Sequence, residues 1–182
     1  MPGLTSRLES FLRPLYQDLD GVSRFDEIER VAAIARHLHI PSNDDDLRHF
    51  ELLLLFQGLG RWLEKVGNLS RAVLTIGLSE KELRQIAASI RNLAEPSTDA
   101  ERALAAALLI DSAGVRGLAE RLSRARREGS SVLDVVRNAL ADVIEPEWLP
   151  ETARAWLVRR RESRREVCRT ILAEVALDDL AR

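Results

Sequence analysis

The chain has 182 residues, 46% of them apolar and 31% charged, with a formal net charge of -2. That is enough for one sizeable core in an ordinary globular composition, and no excess of one sign points to nucleic acid or to a membrane surface. One cysteine, Cys168, excludes an internal disulfide, and no window approaches the roughly 20 apolar residues of a membrane span, so a cytoplasmic protein is expected.

Ser6 and Glu9 have capping-box spacing, and Leu8, Phe11, Leu12, Leu15 and Leu19 follow at helical intervals up to Gly21. A first amphipathic helix with Pro14 inside it is therefore predicted. A second covers about Phe25 to His39, with Ile28, Val31, Ala35 and Leu38 on one side. After Pro41, Asn43 and Asp44 to Asp46 provide a cap and an acidic first turn. The aspartates and His49 superficially suggest a metal site, but adjacent helical residues diverge and a helix dipole accounts for the charge. His37, His39 and His49 are expected at the solvated surface.

The most apolar stretch follows, Leu52 to Trp62, predicted as a central helix covered on all sides, with Gln57 and Gly58 inside the molecule. Short helices are expected around Leu69 to Ile76 and from Glu80 to Ala94, the latter opened by a capping box at Ser79 and Glu82. A long apolar helix begins at Asp99 and continues through Leu104, Leu108 and Val115, loosened at Gly114 and Gly117. Another starts at Ser130 or Ser131 and buries Leu133, Val136, Leu140 and Val143. Pro146 and Pro150 bracket Trp148, and a last helix begins near Glu151. Its arginines 159, 160, 161, 164, 165 and 169 alternate with Glu162 and Glu166, and lack interleaved aromatic residues. A solvated helix face is expected there rather than a nucleic-acid surface. No convincing period-two segment occurs, so the fold is expected to be all-α, a single-domain bundle of about eight helices.

Helical spacing places several polar groups on apolar faces. Asp111 follows Leu104 and Leu108; Glu27 shares a side with Val31, Ala35 and Leu38; Gln57 and Arg61 align with Phe50 and Leu54. Buried charges need partners, so Glu27, Gln57, Arg61 and Asp111 are expected to meet one another, to bind something, or to line a water-filled pocket.

With these residues in place, the order of segments resembles the HD-domain superfamily of metal-dependent phosphohydrolases. Phe25 to Val31 looks like the segment carrying its first ligand histidine, near Glu27. Leu55 to Trp62 is similar to the His-Asp motif, with Gln57 and Gly58 in the His and Asp places. Ile90-Arg91-Asn92-Leu93 resembles a later segment where histidine is common at the place of Leu93, and Leu109 to Ala113 resembles the final Asp motif with Asp111 retained. The resemblance implies an HD-like core over about residues 20–125 and a helical extension over 126–182. Because glycine and leucine cannot coordinate, it implies a catalytically inactive, degenerate member without a metal, serving a binding or regulatory role. Arg61 would supply the lost positive charge between Glu27 and Asp111.

An alternative is a divergent phosphohydrolase or ion-binding domain with Glu27, Gln57 and Asp111 as oxygen ligands to Mg²⁺, Mn²⁺ or Ca²⁺. A third reading is a protein-interaction module working through the arginine-rich helix. The expected partner is a protein or a small phosphorylated ligand, with neither nucleic acid nor membrane.

Overall fold

The computed structural model describes residues 4–17, 25–65, 67–68, 77–141 and 145–180, and within these the fold is all-α, without a strand. The nine helices among the described residues are α1 (Leu4–Gln17), α2 (Phe25–Leu38), α3 (Asp44–Phe56), α4 (Gly60–Leu63), α5 (Glu80–Arg91), α6 (Asp99–Ala113), α7 (Val115–Glu128), α8 (Val132–Ala141) and α9 (Glu151–Leu180). The expected Leu69 to Ile76 helix, Leu19, Gly21 and Val143 lie outside the described residues. The chain forms two compact units, Met1–Ala107 and Leu108–Arg182, with the division falling inside α6.

In the first unit α3 packs against α1, α2 and α5, and α4 packs against α5. Its apolar run explains this central position, because Leu52, Leu53, Leu54, Leu55 and Phe56 are all buried and leave no side for water. α1 contributes Leu8, Leu12 and Tyr16, spaced four apart, and α2 contributes Ile28, Val31, Ile34 and Ala35. α1 already runs from Leu4, so Ser6 lies within the helix instead of capping it. Arg36 makes a bidentate pair with Glu51 between α2 and α3, at 2.8 and 2.6 Å.

Helix starts are fixed by side chains. The Asn43 amide oxygen accepts the Asp46 N–H at 2.9 Å, and the Asp46 carboxylate accepts the Ser42 N–H at 2.8 Å. The expected box at Ser79 and Glu82 is present in full. A further box opens α6. Thr98 Oγ1 accepts the Glu101 N–H, while the buried Glu101 carboxylate accepts the N–H groups of Ser97 and Thr98.

The long helix expected from Asp99 through Val115 is in fact two. α6 stops at Ala113, Gly114 breaks it with an extended backbone, and Val115, at the start of α7, is 41% exposed. The break allows a close return. A Cβ on Gly117 would lie 2.0 Å from the Ser112 carbonyl oxygen, so only glycine fits there. α7 ends on Gly129 in the left-handed conformation, with the Ser130 N–H donating to the Ala125 carbonyl.

In the second unit α7, α8 and α9 pack on one another around Leu118, Val136, Ala139 and Cys168. The arginine run of α9 is not a uniformly solvated face. Arg161 and Arg164 are 7% and 0% exposed and continue a buried stripe of Ala153, Leu157 and Cys168. Arg161 donates to the Glu145 carboxylate at 3.1 Å, and the charges of Arg164 and Arg121 act on the Cys168 thiol, which burial nevertheless pushes up. Long aliphatic stems let arginine occupy such positions while its guanidinium finds an acceptor.

The three capping carboxylates should make the protein acid-sensitive. Hydrogen bonds from Ser42 hold Asp46 below the ordinary range, and those from Ser79 do the same for Glu82. For Glu101, burial pushes upward, but hydrogen bonds from Ser89, Ser97 and Thr98 outweigh it. A folded pKa below the unfolded value means that the stabilisation is complete above the unfolded value, about 4 to 4.5, and disappears as pH falls through the folded value. Urea unfolding from pH 7 to pH 3 should therefore show a plateau above about pH 5 and a decline below about pH 4.5. Glu101→Gln should weaken the protein by about 1 kcal/mol at pH 7 and make the acid decline shallower. An unchanged slope in the variant would rule out this role for Glu101.

Candidate functional site

The residues of the HD-like motif lie at the end of α3, and the chain there turns where a continuous helix was expected. Gln57, Gly58 and Leu59 form a turn, with the Leu59 N–H donating to the Phe56 carbonyl, and the short helix α4 follows. Gly58 is exposed instead of lying inside a helix, so the expected mid-helix position is corrected. The cause is Tyr16 of α1. Its buried hydroxyl donates to the Leu55 carbonyl at 2.7 Å and accepts the Gly58 N–H at 3.4 Å. It thereby satisfies one of the carbonyls left open at the end of α3.

The tyrosine ring also explains the glycine. A Cβ on Gly58 would come within 2.9 Å of Tyr16 Cε1, closer than real side chains approach. Burial pushes the Tyr16 phenol well above its ordinary pKa; the Gly58 N–H opposes this and the Glu27 charge adds to it. Tyr16 is thus a neutral hydrogen-bonding group at every physiological pH. It is edge-on to Phe25 at 6.1 Å, and the Arg13 guanidinium lies 4.0 Å over that second ring.

Gln57 is buried. Its amide nitrogen donates to the carbonyls of Leu54 at 2.9 Å and Ile28 at 3.4 Å, joining the end of α3 to α2. Its Oε1 is buried with no hydrogen-bond partner among the described residues. Glu27 is half-buried in the first turn of α2. Tyr16, Glu27, Gln57 and Gly58 therefore form one neighbourhood within the first unit. The other expected members are placed differently. Arg61 is exposed on α4, so its expected inward direction is corrected, and Leu93 is half-buried in a 3₁₀ turn, Asn92–Ala94. Asp111 is half-buried near the end of α6, beyond the division at Leu108.

No protein-family model, curated protein or solved structure matches this chain.

What the Tyr16 neighbourhood can do is limited by its polar groups: a neutral phenol that feels the Glu27 charge, an amide whose nitrogen is engaged, and one buried carbonyl-type oxygen. Tyr16 escaped the sequence reading, although a signal existed. It is the chain's only tyrosine, it lies on the same stripe as Leu8 and Leu12, and a tyrosine in an apolar stripe needs a partner for its hydroxyl.

A polar cleft of about 450 Å³ lies elsewhere in the same unit, between His39, Ile40, Ser42, Asp46, His49 and the start of α6. His39 was expected in solvent. Instead its side chain is 10% exposed, edge-on to Phe50 at 4.7 Å, with Nε2 3.4 Å from the Asp46 carboxylate. Asp46 is committed to capping α3, and among the described residues no three His, Cys, Asp or Glu side chains gather as metal ligands.

The tyrosine–glycine contact can be measured. Gly58→Ala should destabilise the protein by about 1–3 kcal/mol through overpacking. In a Tyr16→Leu background the same change should lose most of that penalty, a coupling of about 1 kcal/mol or more in a double-mutant cycle by urea unfolding. Tyr16→Phe should cost about 1–2 kcal/mol by leaving the Leu55 carbonyl without its donor. Additive costs for Gly58→Ala and Tyr16→Leu would show that the ring does not set the glycine.

Proposed function

We propose that this chain is a non-catalytic, degenerate HD-domain-like protein with a binding or regulatory role. The observation that carries this reading is the occupation of the motif positions by packing. The space that a side chain at position 58 would enter is held by the Tyr16 ring, and the amide nitrogen of Gln57 is engaged by two backbone carbonyls. A carboxylate at 58 would have to displace an aromatic ring fixed by its own hydrogen bonds. Metal-assisted hydrolysis needs a cation that holds phosphate and activates water, and a glycine in van der Waals contact with a phenol ring supplies no ligand for one. Arg61, exposed on α4, stands outside this packing.

A second reading rests on Gln57 Oε1. A buried acceptor lacking a hydrogen bond costs about 1–3 kcal/mol, and with Glu27, in the same neighbourhood, it would offer oxygen ligands of the kind that suit Mg²⁺, Mn²⁺ or Ca²⁺. That arrangement would be a divergent ion-binding domain or phosphohydrolase.

Thermal unfolding with each of these ions separates the two readings. At a concentration about 100 times the dissociation constant, an ion binding only the folded state adds about 2.7 kcal/mol, a shift of several degrees. The binding or regulatory reading predicts a midpoint within about 1 °C of the metal-free value and no Mn²⁺-dependent hydrolysis of phosphomonoesters. A rise of several degrees that Glu27→Gln abolishes would establish the ion-binding reading instead.

A further inference from the structure

We draw no further inference here: the strongest candidate, the polar cleft of the first unit between His39, Ser42, Asp46, His49 and the start of α6, carries nothing, because the buried His39 Nε2 already lies against the Asp46 carboxylate that caps α3 and nothing in the structure shows what would occupy the remaining space.

Discussion

The arrangement of the first unit depends on one buried phenol. Tyr16 donates to the last turn of α3, accepts from the turn after it, and fills with its ring the space that any residue larger than glycine at position 58 would need. These three contacts connect the first helix to the end of the central one across about forty residues of sequence. They decide that α3 stops at Phe56, that the chain reverses through Gln57 and Gly58, and that α4 starts where it does. The hydroxyl suits this place because it both donates and accepts, so it serves a helix carbonyl and a turn N–H together. Phenylalanine would fill the space equally well but leave both backbone groups open.

The same contacts change the meaning of the glycine. As a residue in the interior of a helix, Gly58 would only weaken the structure; as the residue facing a tyrosine ring, it is what allows α1 to approach. The resemblance to a His-Asp motif treats Gln57 and Gly58 as losses, whereas their surroundings give each a structural task. Gln57 ties α2 to α3 through two carbonyls, and Gly58 admits Tyr16. A change that restored coordinating side chains here would have to dismantle this packing, so the motif positions and the α1 sequence constrain one another.

Elements governed by local chemistry were readable from the sequence. The start of α3 at Asn43, the Ser79–Glu82 box and the extent of α2 within one residue follow from caps and from 3.6-residue periodicity. The failures share a physical character. The apolar spacing continues past Phe56 into Leu59, so periodicity cannot detect a break imposed by Tyr16 from far away in the chain. Val115 continues the spacing of Leu104 and Leu108, yet the helix breaks at Gly114 because the chain must fold back closely enough for Gly117 to touch the Ser112 carbonyl. His39 looks like a polar loop residue, but an aromatic ring and a carboxylate hold it. For the candidate site, Glu27, Gln57 and Gly58 do come together, but the group that organises them, Tyr16, is not among the residues that the helical spacing singled out.

The arginines of α9 show why charge runs mislead. In sequence, Arg159, Arg160 and Arg161 are equivalent, and composition favours a solvated face for all three. A helix rotates by about 100° per residue, so three consecutive positions cannot share an environment. Arg161, four residues after Leu157 and seven before Cys168, falls on the buried stripe and pairs with Glu145, while Arg159 and Arg160 lie outside it and are exposed. The stripe could have been found by extending the Ala153–Leu157 face through the run to Cys168, disregarding the charges on the way. What remains exposed after that subtraction is Arg159 and Arg160 within the run. Burial of two arginines thus turns part of an indistinct basic run into a packing surface of α9.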